Sequence, residues 1–126
     1  MSLRTDLGRV RGLGSAKEGV SHWWAQRLSA VALVPLGIWF VFSAVGLAGA
    51  DLAQFTAWLD APQNLLLMIL LVGVMFYHME LGLQVVIEDY VHGETAKTVM
   101  IVLNKFVALF LAASSIVALL RVGIGA

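Results

Sequence analysis

The sequence predicts an all-α membrane protein whose three transmembrane helices form part of a larger, heteromeric transmembrane bundle. Composition is the first reason. The 126 residues are 60% hydrophobic and 13% charged, with a mean hydropathy of +0.90. Soluble domains run at about 45–50% apolar and about 25% charged. The second reason is where the charges sit, because the stretches 28–50, 65–87 and 98–120 hold almost none. The third is that the chain has no cysteine and one deep histidine, His78. If the chain takes part in redox chemistry, the cofactor must be held by other ligands or by other subunits.

The leader, 1–21, is polar and carries Arg4, Arg9, Arg11 and Lys17; the membrane anchor proper occupies 22–126. Span one, Leu28 to Ala50, has no charged residue and contains Pro35, which removes one backbone hydrogen bond and is expected to bend the helix. Ala48-Gly49-Ala50 resembles a signal-peptidase site. The apolar run before it exceeds the roughly 7–15 residues of a signal core, so the segment reads as a span. In the connection Asp51 to Asn64, Leu52, Phe55, Trp58 and Leu59 fall at helical spacing. That pattern predicts a short interfacial helix with Trp58 as an aromatic anchor at the outer surface. Pro62 suits the first turn of span two.

Span two, 65–87, is interrupted by His78, Glu80 and Gln84, and span three, 98–120, has Asn104 and Lys105 in its early turns. As a helix each span reaches roughly 34 Å, enough to cross a hydrocarbon core of about 30 Å. Lipid offers backbone groups no hydrogen bonds, so a lone strand is untenable and helix is the consistent reading.

Basic residues fix a direction. Arg4, Arg9, Arg11, Lys17 and Arg27 precede span one, the first connection has none, and the second, Glu88 to Lys97, has Lys97. Lys105 can snorkel back to that same side. The positive-inside rule then puts the N-terminus in the cytoplasm and the C-terminus, with Arg121, outside. Balanced charge, 8 basic against 8 acidic residues, excludes a nucleic-acid binder relying on net positive charge. The absence of cysteine excludes a thiol nucleophile and Cys-ligated zinc or iron–sulfur centres.

The informative residues are those that lipid makes expensive. His78 and Asp89 are near three full turns apart, about 16 Å along one helix face. Gly82 lies on nearly the same face and removes side-chain bulk beside the imidazole. By itself His78 reads equally well as a histidine hydrogen-bonded to a neighbouring helix or as a haem axial ligand. His22 lies at the membrane edge and His92 in the inner loop, so neither reaches the depth of His78. A bis-histidine haem here would take its second ligand from another polypeptide. Glu80 points about 200° away from His78, and the residues leave its role open between a protonated acid, a pair with a partner and a proton path. Asp89 and Tyr90 end span two at the inner surface. With Arg27 on the same side they could surround a small polar headgroup: Tyr90 donates a hydrogen bond, Asp89 orients or relays a proton, and Arg27 binds an anion.

The run His78-Met79-Glu80-Leu81-Gly82-Leu83-Gln84-Val85-Val86-Ile87-Glu88-Asp89-Tyr90-Val91 resembles the second-helix signature of the D-type hydrophobic membrane anchors of succinate dehydrogenase. The lead-in Gly19-Val20-Ser21-His22-Trp23-Trp24-Ala25-Gln26-Arg27-Leu28-Ser29-Ala30 is similar to that family's approach to helix one. With the three-span plan, the resemblance covers nearly the whole chain. It implies that His78 is an axial ligand of haem b, shared with a C-type cytochrome b anchor subunit, with Gly82 clearing the haem face. It implies that Arg27 faces a haem propionate or the quinone region, and that Tyr90 and Asp89 meet ubiquinone. It further implies docking of an iron–sulfur subunit and a flavoprotein subunit on the inner face, as in the succinate:ubiquinone oxidoreductase of the tricarboxylic acid cycle and respiratory chain. The chain would then be a non-autonomous subunit, with no catalysis of its own. Its setting would be membrane lipid, in a bacterial inner membrane because no transit peptide is evident. Glu80 and Glu88 stand where this family often has other residue types.

Two other classes compete: a small proton-coupled transporter or channel subunit using Glu80 and His78, and a purely structural anchor whose polar residues glue helices. Three helices without an inverted repeat are few for alternating access. The cysteine-free background gives a direct topology test. Single cysteines at Ala53 and Thr95 are expected to react with a membrane-impermeant maleimide from opposite sides, Ala53 from outside in intact cells. Labelling of Thr95→Cys from outside would invert the orientation.

Overall fold

A computed structural model describes residues 3, 5–12 and 17–125. Arg4 lies outside the described residues, as do the side chains of Arg11 and Lys17. Among the described residues five helices follow in order: α1 (Asp6–Arg11), α2 (Lys17–Gly46), α3 (Leu52–Asp60), α4 (Pro62–Tyr90) and α5 (Glu94–Gly123). There is no strand among the described residues. Three segments, Val20–Gly46, Pro62–Tyr90 and Glu94–Gly123, are long and apolar enough to cross a membrane.

The second and third spans lie inside α4 and α5. The first does not run to Ala50 as the charge pattern suggested, because α2 stops at Gly46. Residues 47–49 form a turn, with Ala50 N–H donating to the Leu47 carbonyl at 2.9 Å and Gly49 at a φ of 81°. Glycine adopts that left-handed conformation without the Cβ penalty of other residues. Hydropathy could not place this break, since Leu47, Ala48 and Ala50 are as apolar as the helix. α2 begins well before Leu28 and passes through Pro35 without interruption.

The short helix α3 forms where the spacing of Leu52, Phe55, Trp58 and Leu59 put it. Asp51 caps it through a reciprocal pair: Gln54 N–H donates to Asp51 Oδ1 at 2.8 Å, and Asp51 N–H donates to Gln54 Oε1 at 2.9 Å. Two orphan donors at the helix start are thereby satisfied. Leu59 is 1% exposed, and the Trp58 ring stacks on Trp39 of α2 at 5.8 Å and on Phe55 at 6.2 Å. Trp58 therefore also packs α3 against α2. Asn64 Nδ2 donates to the Trp58 carbonyl at 2.8 Å, closing the corner between α3 and α4. Gly123 lies over this corner. A Cβ there would come within 2.8 Å of Leu65 Cδ1 and 3.3 Å of the Leu59 carbonyl oxygen.

α4 packs on α2 along one side and on α5 along the other, while α2 and α5 do not meet. The membrane helices thus form a row with α4 in the middle. The buried core is small (Leu59, Leu81, Ile87 and Ala108), and side chains such as Phe42 and Phe110 stand exposed on the outer helices.

A polar cluster joins α4 to α5. Glu80, only 7% exposed, accepts at Oε1 from Lys105 Nζ at 3.0 Å. Lys105 Nζ also donates to Gln84 Oε1 at 3.3 Å, and Gln84 Nε2 donates to Glu88 Oε1 at 3.0 Å. Asn104 Nδ2 donates to the Glu80 backbone carbonyl at 2.9 Å. An unpaired charge at the centre of a membrane helix costs about 3 kcal/mol on insertion scales, so pairing the two is strongly preferred to carrying either alone.

A double-mutant cycle tests this brace. Lys105→Ala strands a short, buried carboxylate and is expected to lower stability by about 2–3 kcal/mol. Glu80→Ala is expected to cost less, because the longer Lys105 side chain can snorkel to the interface. The double variant should lie closer to wild type than the sum of the two losses. Thermal unfolding in detergent reads all four proteins, and additive losses would show that the pair is not coupled.

Candidate functional site

The site grows from the other side of α4. His78 and Glu80 are about 200° apart around the helix, so one faces towards α2 when the other faces α5. Ser29 of α2, 6% exposed, places its Oγ 2.8 Å from His78 Nδ1. The same Oγ lies 2.9 Å from the Gln26 carbonyl oxygen, one turn back along α2. Serine is tolerated inside a helix when its hydroxyl can return to such a carbonyl, and here that return leaves the oxygen facing α4.

The other ring nitrogen is differently placed. His78 Nε2 makes no hydrogen bond among the described residues and is not among their buried unpartnered atoms. It is open at the surface of the row. One turn towards the C-terminal end of α4, a Cβ built on Gly82 would meet nothing within 4 Å. The glycine therefore leaves a flat, open strip of helix beside the imidazole, where any larger residue would project a side chain.

Arg27, in the N-terminal part of α2, and Asp89 and Tyr90, at the C-terminal end of α4, are all exposed, Tyr90 at 77%. No hydrogen bond or ion pair joins them to one another among the described residues. The Arg27 guanidinium lies over the Trp23 ring, 5.3 Å from its centroid, and Trp23 meets Trp24 edge-on at 5.0 Å. Arg27 comes two residues before Ser29, on the far side of α2 from the Ser29–His78 contact. The structure thus brings His78 and Gly82 onto one open strip and leaves Arg27, Asp89 and Tyr90 as separate exposed groups at one membrane boundary. His22 Nε2 is buried without a hydrogen-bond partner among the described residues, and His92 is exposed.

Sequence reasoning missed Ser29 and Gln26 at this site. Ser29 was part of the recognisable lead-in, but one hydroxyl in a helix gives no sign of which neighbour it meets.

Residues 1–114 match the succinate dehydrogenase/fumarate reductase transmembrane subunit family. The chain belongs to that family. Among its relatives, the succinate dehydrogenase hydrophobic membrane anchor subunit of Paracoccus denitrificans is 36% identical over 117 residues, covering 93% of this chain and 90% of the relative. The protein of the same name from Rickettsia bellii (strain RML369-C) is 31% identical over 115 residues, covering 91% and 92%. A succinate dehydrogenase membrane anchor subunit of Reclinomonas americana is 31% identical over 97 residues, covering 74% and 80%. No solved structure matches this family member. The resemblance read from the His78 to Val91 run is therefore upheld at the level of the family, over most of the chain.

Proposed function

We propose that this chain is the membrane anchor subunit of a succinate dehydrogenase, supplying one axial ligand to a haem b and part of a ubiquinone-reducing site. The observation that carries the reading is His78, with Nδ1 engaged by Ser29, Nε2 open, and the glycine-cleared strip of Gly82 beside it. A neutral imidazole in apolar surroundings suits haem iron, and a planar macrocycle needs a wall without projecting side chains. The residues present thus fit the group. When bound, a haem supplies one-electron transfer at the level of His78. With one histidine at this depth, any second protein ligand would come from another polypeptide, which we identify with the C-type cytochrome b anchor.

The exposed groups at the inner end fit the second task. Reduction of a quinone to a quinol takes two electrons and two protons. The electrons would reach the membrane from an iron–sulfur subunit docked on the cytoplasmic face, itself fed by a succinate-oxidising flavoprotein. Tyr90 O–H can donate to a quinone carbonyl and polarise it, and Asp89 beside it can pass protons from the cytoplasmic boundary. Arg27 offers a fork of donors to a propionate or to the quinone region. The exposure of all three leaves them accessible to partner and substrate. Glu80 has its own cation in Lys105, so the motive for a proton-relay transporter built on Glu80 and His78 falls away.

The tests separate the two tasks. His78→Ala is expected to abolish the b-type pyridine haemochrome of the purified complex. Gly82→Leu should lower haem content by filling the open strip while leaving assembly intact. Absence of b haem from the wild-type complex would refute the haem assignment. Tyr90→Phe is expected to slow quinone reduction by about 10²-fold or more, the low end for loss of a positioned proton donor, while succinate oxidation by an artificial acceptor is unchanged. Equal losses in both assays would contradict the quinone assignment.

A further inference from the structure

The contact between α2 and α4 at Ser29 has a directionality that the haem reading does not require. Ser29 Oγ carries one proton and lies within hydrogen-bond distance of two atoms, the Gln26 carbonyl oxygen at 2.9 Å and His78 Nδ1 at 2.8 Å. The carbonyl can only accept. If the hydroxyl donates to the carbonyl, its lone pairs face Nδ1, and both contacts are satisfied when Nδ1 carries the imidazole proton. If it donates to Nδ1 instead, two oxygens face each other at 2.9 Å with no proton between them. Ser29 is 6% exposed, so no bulk water relieves that repulsion.

We infer that Ser29 is a positioning residue that holds His78 in the Nδ1–H tautomer, so that Nε2 is presented with its lone pair free. Three consequences follow from the same geometry. The ring is pinned to α2, which fixes the direction of the Nε2 lone pair across the Gly82 strip. Donation to the Gln26 carbonyl polarises Oγ and makes it a better acceptor, and so makes the imidazole a stronger electron donor at Nε2. Metal binding at Nε2 would then need neither a change of tautomer nor the loss of a proton. What Nε2 binds rests on the haem reading above; the tautomer itself does not.

The test compares wild type, Ser29→Ala, Ser29→Thr and Ser29→Val. Thr and Val share a shape and differ in the hydroxyl, and threonine in a helix can make the same return bond to a carbonyl one turn back. In the full chain, labelled with ¹⁵N-histidine and held in detergent, long-range ¹H–¹⁵N spectra read the His78 tautomer directly. Nδ1–H is expected in wild type and Ser29→Thr, with a shift towards Nε2–H in Ser29→Ala and Ser29→Val. In the purified complex, the last two variants should bind haem about tenfold more weakly, at the low end for loss of such a partner, and show a raised midpoint potential that Ser29→Thr restores. An unchanged tautomer and potential in Ser29→Val, with haem present, would overturn the role of Ser29 and leave the haem reading standing. A Ser29-dependent tautomer in a complex without haem would do the opposite.

Discussion

Hydrocarbon offers no partner to a polar side chain, and the architecture depends on how α4 meets that constraint. This one helix carries an imidazole and a carboxylate at membrane depth, on opposite faces. Each is tied to a different neighbour: His78 to Ser29 of α2, and Glu80 to Lys105 of α5. The apolar core of the chain is too small to fix three long helices in register by itself. Two polar contacts with defined geometry add to the packing, because sliding or rotating α4 would break both and leave the buried Ser29 and Glu80 unpaired.

The two contacts are not equivalent in what they leave over. The Glu80 cluster bonds within itself: Lys105 donates to Glu80 and Gln84, Gln84 to Glu88, and Asn104 to the Glu80 backbone carbonyl, with the Lys105 side chain 54% exposed at its edge. The Ser29–His78 contact is open, since it uses one ring nitrogen and turns the other outward beside a glycine. The row arrangement makes that openness possible. A closed three-helix bundle would have buried His78 at its centre. A row exposes both of its broad sides, and the large apolar residues left there suit lipid and partner helices.

Much of this was legible in the residues. Charge-free stretches located the membrane helices, and helical spacing located α3 between Asp51 and Asp60. The 200° separation put His78 and Glu80 on opposite faces, which the structure bears out. The Glu80–Lys105 pair has a signal in the sequence: both residues lie about three turns from the loop between α4 and α5, at equal depth on consecutive antiparallel helices, with opposite charge. Reading Lys105 as free to snorkel treated it alone. The end of span one at Gly46 was not legible from hydropathy, since the break is conformational and occurs among apolar residues. Nor was Ser29 legible, because its value depends on the rotation of α2 against α4, which a composition pattern does not specify.

The role proposed for His78 makes this chain half of a haem site, completed by another polypeptide. Expression of the full chain alone and together with the proposed C-type cytochrome b anchor, each purified in mild detergent and examined by low-temperature electron paramagnetic resonance, tests it most directly. The account predicts no low-spin ferric haem signal from the chain alone and a bis-histidine signal from the co-expressed pair. A stoichiometric low-spin haem on the chain by itself would contradict it.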